Sequence, residues 1–210
     1  MLPKCPLCFK ESDLFSNSNN RNFFRCSHCK SIFADPKTFL NYEDEKSRYE
    51  THNNDVLDSG YRNFMQPIVD IVSGKYTQNR VGLDYGSGTG PVASKMLQEK
   101  DFNVEQFDPF FCNKPEVLTK YYDYIVCCEV IEHFYKPHIE FTQLRSMLNQ
   151  GGGLFCMTHI YNDSIDFGKW YYKNDPSHVF FYHPLALNYI KEQFQFGSLE
   201  VIGRIIHFSV

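Results

Sequence analysis

No stretch of the chain approaches the ~18 apolar residues that a membrane-crossing helix needs. The opening residues, Met1-Leu2-Pro3-Lys4-Cys5, lack the charged-then-apolar pattern of a secretory leader. These absences exclude a membrane partner and read as a cytoplasmic protein. Thiols stay reduced there, so the eight cysteines suggest metal ligands or small buried hydrophobes before disulfides. A strong positive charge is missing too, and the net charge of −4 argues against a protein that coats nucleic acid generally. Only residues 1–37 are mildly basic, with six Lys/Arg against three Asp/Glu, which leaves about seven excess negative charges to the rest. Internal repeats are lacking, and the one biased tract is the polar run Ser16-Asn17-Ser18-Asn19-Asn20, read as a loop tip. What is there is 210 residues, 42% hydrophobic and 17% aromatic, which suits one packed domain with a small appendage.

Three regions separate by pattern: a cysteine-bearing, turn-rich piece over 1–35, a helical lead-in over 36–80, and a main domain over 81–210. Val56, Leu57, Phe64, Met65, Ile68, Val69 and Val72 recur at helical spacing in the lead-in. From Arg80 onward strands and helices alternate, the signature of a doubly wound α/β fold with a mostly parallel sheet. Strands are expected at Val81–Tyr85, Phe102–Phe107, Tyr122–Cys128 and Leu154–Thr158, the last entered through a turn at Gly151-Gly152-Gly153. Two short closing strands are expected at Ser198–Ile202 and Arg204–Phe208. Helices are expected at Pro91–Lys100, Pro137–Asn149 and Leu185–Phe194.

Cys5-Pro6-Leu7-Cys8 and Cys26-Ser27-His28-Cys29 are two CxxC pairs with seventeen residues between them, a spacing suited to a four-thiolate zinc ribbon. A piece this small cannot bury enough apolar area to fold alone, so a metal staple is physically reasonable. Four protein ligands leave no open position, which makes this zinc structural. The alternative, a redox CxxC, fits poorly with two pairs outside a βαβ unit, and His28 reads as a surface residue. Among the other cysteines, Cys112 falls in a loop, and core packing accounts for Cys127, Cys128 and Cys156.

The segment Val81-Gly82-Leu83-Asp84-Tyr85-Gly86-Ser87-Gly88-Thr89-Gly90 is an apolar strand running into a glycine-rich turn before a helix. Glycines there let the backbone bend and approach a ligand at the carboxyl edge of the sheet. The third glycine is spaced GxGxG rather than GxGxxG, and Asp84 would repel a pyrophosphate while suiting a cationic amino group. Asp108, 24 residues on at the end of the next strand, can accept the hydroxyls of a ribose; a structural turn at Asp108-Pro109 is the plainer alternative.

In these elements, with the strand Tyr122-Asp123-Tyr124-Ile125-Val126 and Gly151-Gly152-Gly153, the chain resembles class I S-adenosylmethionine-dependent methyltransferases from about residue 56 onward. The ribbon followed by Tyr49-x-x-His52-Asn53 and Gly60-Tyr61 is similar to bacterial zinc-ribbon methyltransferases of unassigned substrate. The resemblance implies that Gly86, Gly88 and Gly90 cradle the amino-acid end of S-adenosylmethionine and that Asp108 binds its ribose. The short span from Asp108 to Tyr122 departs from that family, leaving little room for a full helix and strand.

Cys128-Glu129-Val130-Ile131-Glu132-His133 follows directly after an apolar strand. Positions i, i+3 and i+4 of one helical turn share a face, so Glu129, Glu132 and His133 are expected to converge, and two carboxylates with an imidazole suit Mg²⁺ or Mn²⁺. The segment resembles the EVxEH element of ubiquinone-pathway O-methyltransferases and of small-RNA 3′-terminal ribose methyltransferases. That resemblance implies a divalent ion there, and His178 stands where the RNA enzymes carry a further histidine. Without an ion, His133 or His178 would serve as general base. Tyr49, His52, Asn53 and Tyr61 either close the pocket or pack on the sheet. The expected activity is O-methylation of a small-molecule or terminal hydroxyl, with Glu132, His133 and His178 as the catalytic set and Glu129 also facing the cofactor. The rivals are an RNA methyltransferase gripping phosphates with its ribbon, a non-catalytic module that senses the cofactor, and an NAD-dependent oxidoreductase.

Overall fold

A computed structural model describes residues 2–51 and 55–210. The chain opens with an antiparallel hairpin, β1 (Ser12–Ser18) and β2 (Arg21–Cys26), followed by β3 (Ile32–Ala34). The hairpin turns at Asn19-Asn20 with φ of +53° and +58°. A type I′ turn needs two such left-handed residues, and asparagine tolerates the conformation better than most. The expected loop tip is therefore two residues long, and Ser16–Ser18 belong to the strand.

Helices α1 (Tyr42–Glu50) and α2 (Ser59–Lys75) come next, capped by the side chains of Asn41 and Asp58. Met65, Ile68, Val69 and Val72 form the buried face of α2, as their spacing predicts, while Pro67 faces solvent. The main domain runs β4 (Val81–Tyr85), α3 (Val92–Gln98), β5 (Asn103–Phe107), β6 (Tyr122–Cys128), α4 (Pro137–Ser146) and β7 (Leu148–Met157). It ends with β8 (Phe180–Phe181), α5 (Pro184–Gln193), β9 (Ser198–Ile202) and β10 (Ile205–Ser209).

Six strands form one sheet in the order β5-β4-β6-β7-β10-β9. The first four are parallel and the last two antiparallel. Side chains alternate across β6: Tyr124 and Val126 pack under α2 and α3, whereas Ile125 and Cys127 pack with α4 and α5. Burial on both faces explains why the strand reads as a continuous apolar run. The chain leaves β4 toward β5 on one side and returns to β6 on the other. A crevice therefore opens at the carboxyl ends of β4 and β6, where such folds bind ligands.

Two expectations need correction. α4 stops at Ser146, and the glycine triplet lies inside β7 instead of forming a turn before it. Gly151 has φ +75°, and a Cβ on Gly152 would lie 2.9 Å from the carbonyl oxygens of Asn149 and Asp123. These glycines permit a close backbone approach at the register shift between β6 and β7. The short span from Asp108 to Tyr122 holds one 3₁₀ turn, Pro115–Thr119, as its length implies, and β5 stays at the edge of the sheet. Finally, β8 was not anticipated. It pairs with β3 through Ile32↔Phe181 and Phe33↔Phe180, joining the cysteine-bearing sheet as β1-β2-β3-β8. The buried rings of Phe33 and Phe180 stack at this junction, and the ribbon shares one apolar cluster with the main domain. Among the described residues no helix is long and apolar enough to cross a membrane.

Candidate functional site

The glycine loop leaves β4 with φ of +81° at Gly86 and +65° at Gly88, values that glycine alone adopts without strain. Gly86 and Ser87 donate their N–H groups to Phe107 O at 2.8 and 3.1 Å, which ties the loop to the end of β5. Gly90 leads into α3. Asp84 is buried beneath the loop, where it accepts from Ser94 Oγ at 2.7 Å. Burial pushes its pKa up to about 6.

Asp108 is also buried, and its carboxylate is busy. Oδ1 accepts from the N–H groups of Phe110 and Phe111 at 2.9 and 3.0 Å, and Oδ2 accepts from Gly88 N at 2.9 Å. A carboxylate offers about four acceptor positions, so the structural turn and the glycine loop occupy most of them. Room remains for one added hydroxyl without displacing a bond.

Beyond β6, Glu129 sits at φ +53°, and a 3₁₀ turn, Ile131–His133, replaces the expected α-helical turn. The difference in geometry gives the two glutamates different principal partners, with the Tyr172 hydroxyl between them, 3.3 Å from Glu129 Oε2. Both oxygens of Glu129 lie 2.6 Å from Arg204 Nη2. Glu132, 1% exposed, turns inward, and its Oε1 accepts from the Tyr172 hydroxyl. Its Oε2 is buried and has no hydrogen-bond partner among the described residues. Ligand atoms of Glu132, His133 and His178 all lie within 4.8 Å of one another.

Both imidazoles are oriented by main-chain carbonyls. His133 Nδ1 lies 2.9 Å from Ser177 O, and His178 Nδ1 lies 2.7 Å from Tyr172 O. With Nδ1–H donating, each Nε2 keeps its lone pair for a ligand. Burial lowers the pKa of His133, and burial together with His133 holds His178 at about 3. Both rings are thus neutral near pH 7. Burial, then Glu132, raises Glu129 to about 8, and burial raises Glu132 to about 7. A buried carboxylate with one oxygen left unpartnered among the described residues, grouped with two neutral imidazoles, is a donor set that fits a divalent cation.

The cysteine quartet also converges. All four residues are buried, with Sγ separations of 3.7 Å for Cys5–Cys29 and 3.3 Å for Cys8–Cys26. A tetrahedral zinc with ~2.3 Å bonds sets sulfurs about 3.8 Å apart, so the donors fit that ion. Each CxxC is followed by a left-handed residue, Phe9 and Lys30, both at φ +60°. His28 is exposed and points its ring at Tyr189.

In the lead-in, Tyr49 donates to Glu45 Oε1 at 2.8 Å. Its ring stands edge-on 5.3 Å from His133 and 5.5 Å from Phe110, spanning the two halves of the crevice. The Tyr61 ring stacks with Phe64; its phenol pKa is raised by burial, with Cys128, Asp84 and Glu129 nearby. His52 and Asn53 lie outside the described residues. Sequence reasoning missed Tyr172 and Arg204. Tyr172 sits in the ordinary-looking run Lys169-Trp170-Tyr171-Tyr172-Lys173, and Arg204 follows the hairpin glycine Gly203. Neither has a spacing that marks it, and only tertiary contact brings them in.

A family model described as a methyltransferase domain matches residues 57–201. No curated protein matches the chain. Among solved structures the chain is similar to an O-methyltransferase family protein from Burkholderia thailandensis, at 15% identity and TM-score 0.50 over 79% of this chain and 61% of that one. It is likewise similar to human N-acetylserotonin methyltransferase in complex with S-adenosylmethionine, at 10% identity and TM-score 0.50 over 72% of this chain and 56% of that one. The chain therefore spans less than two thirds of the length of these proteins, and at such identities the likeness is one of fold. With the family model covering most of its length, the chain belongs to the methyltransferase-domain family.

Proposed function

We propose that this protein is an S-adenosylmethionine-dependent O-methyltransferase acting on a small hydroxylated acceptor, with Glu132, His133 and His178 holding a divalent cation such as Mg²⁺ or Mn²⁺. The observation that carries the reading is the unpartnered, buried Oε2 of Glu132 grouped with two histidines, one strand away from the glycine loop of a methyltransferase-domain fold. Gly86, Gly88 and Gly90 would cradle the amino-acid end of the cofactor, with Asp84 facing its ammonium group and Asp108 accepting a ribose hydroxyl. Glu129, drawn off by Arg204, stands between cofactor and acceptor. A bound divalent cation lowers the pKa of an acceptor hydroxyl and fixes it for attack on the methyl group.

The chain's own groups do the rest. Tyr172 braces Glu132, Ser177 O and Tyr172 O fix the tautomers of the two histidines, and Tyr49 excludes water above His133. Burial keeps both imidazoles neutral, the form in which a ring nitrogen ligates a cation. Cys5, Cys8, Cys26 and Cys29 would hold a structural zinc in a ribbon over 1–35, and eight reduced cysteines suit the cytoplasm.

The test is methyl transfer from tritiated S-adenosylmethionine to a panel containing a vicinal aromatic diol, a 3′-terminal RNA oligonucleotide and simple amines. It is run with the zinc-loaded protein, with and without added Mn²⁺. Transfer to the diol should rise about tenfold or more with Mn²⁺. Equal transfer to amines, or indifference to Mn²⁺, would count against this function.

A further inference from the structure

The ribbon grips the loop that bears His178, and one buried side chain makes the most contacts to its backbone. Arg21 is the first residue of β2 and is buried. Its guanidinium donates to three main-chain carbonyls of a single loop, at 3.5 Å to Lys173 O, 3.0 Å to Asp175 O and 2.8 Å to His178 O. These partners are carbonyls rather than a carboxylate, and Nε has none. Desolvating a cation is costly unless its hydrogen-bonding groups are met in a specific geometry, so the contact is not incidental packing.

The same hairpin tip grips the loop twice more. Lys173 Nζ donates to Ser18 Oγ at 2.9 Å, and Asn19 Nδ2 donates to Asn174 Oδ1 at 3.0 Å. Where the loop ends, Ala34 N donates to Val179 O at 2.9 Å, and β3 pairs with β8. This loop supplies both members of the cluster that do not come from the end of β6. One is His178; the other is Tyr172, whose hydroxyl braces Glu132 and whose carbonyl orients His178.

Resting on the divalent-cation reading above, we infer that Arg21 is a positioning residue of the acceptor site: its planar fork fixes the backbone of residues 173–178 so that His178 Nε2 meets Glu132 and His133. The ribbon is then a working part of the site and not an appendage. A lysine cannot reproduce the contact, because an ammonium lacks the rigid fork that binds several acceptors at set angles.

The experiment compares the full-length, zinc-loaded wild type with Arg21→Met and Arg21→Lys. Four quantities are read: ribbon zinc content, S-adenosylhomocysteine affinity by calorimetry, Mn²⁺ affinity by electron paramagnetic resonance, and amide hydrogen exchange over 172–179 without added Mn²⁺. Zinc content and S-adenosylhomocysteine affinity should stay at wild-type values in both variants. In Arg21→Met, exchange over 172–179 should quicken and Mn²⁺ affinity should fall, each about tenfold or more, with Arg21→Lys in between. Unchanged exchange over 172–179 in a zinc-retaining Arg21→Met protein overturns the inference. So does an unchanged Mn²⁺ affinity where the wild type binds the ion. Should Arg21→Met fail to fold, Arg21→Lys is judged by the same two criteria. A wild type that binds no Mn²⁺ refutes the cation reading instead, and exchange alone then decides the role of Arg21.

Discussion

One guanidinium nitrogen of Arg204, Nη2, lies 2.6 Å from each carboxylate oxygen of Glu129. That contact, with the left-handed backbone at Glu129, keeps Glu129 out of the group formed by Glu132, His133 and His178, although the Tyr172 hydroxyl still touches both carboxylates. The cation set proposed above would then have three protein ligands, with open positions for acceptor oxygens. Glu132→Gln should therefore lower Mn²⁺ affinity by more than about tenfold, whereas Glu129→Gln should change it by less than about threefold. Titration followed by electron paramagnetic resonance checks both, and equal losses would put Glu129 back among the ligands.

Asp84 offers a pH test with two opposite signs. Burial raises its pKa to about 6, above the ~3.9 of an unfolded aspartate. Its contribution to folding is therefore full below the unfolded value and is lost as pH rises through about 6. Cofactor binding runs the other way, because only the ionised carboxylate attracts an ammonium group. Calorimetry with S-adenosylhomocysteine between pH 7 and 5 should show affinity falling as pH drops below about 6, by at most about tenfold per unit. Asp84→Asn should flatten that dependence, and a flat profile in the wild type would remove Asp84 from the cofactor contact.

Metal removal should not simply fray the amino terminus. The ribbon shares a hydrophobic cluster with the main domain and lends β3 as partner to β8. Chelating the zinc proposed for the four cysteines, or Cys26→Ser, should destabilise the whole chain in one transition. A loss of only about 5 kcal/mol would lower Tm by roughly 10–20 °C. Differential scanning calorimetry that resolved a separate ribbon transition, with the main transition unmoved, would contradict this coupling.

How far the sequence could be read depended on the kind of signal each element carries. β4, β6 and β9 were legible to the residue because a buried parallel strand or a short alternating one is written in consecutive positions. The cysteine quartet was legible because ligand spacing is a covalent constraint. The glycines of β7 misled, since a glycine that marks a turn and one that permits close backbone approach look alike in one dimension. β8 has two residues, too few for any period. At the site, Glu132, His133 and His178 come together as expected, but the parting of Glu129 depends on Arg204, 75 residues away in the chain. Tyr172 and Arg21 are invisible for the same reason: their roles are set by which carbonyl or carboxylate the fold brings to them.

Gly86 and Val130 connect the glycine loop to the turn bearing Glu132 and His133, and their contact can be measured. Gly86 has φ +81°, and a Cβ added there would lie 2.5 and 2.8 Å from the two γ-carbons of Val130. Gly86→Ala thus incurs two penalties, ~1–2 kcal/mol for a left-handed L-residue and ~1–3 kcal/mol for overpacking. Urea unfolding should show a loss of about 2–5 kcal/mol. Val130→Ala removes only the second penalty, so the double variant should be more stable than the sum of the single changes predicts, by ~0.5–3 kcal/mol. Because Val130 directly follows Glu129 and leads into the turn bearing Glu132 and His133, pushing it away should weaken S-adenosylhomocysteine and Mn²⁺ binding together in Gly86→Ala. Both affinities should partly recover in the double variant. Strict additivity in stability, or loss of one affinity without the other, would mean that the loop and the cluster do not press on each other through this pair.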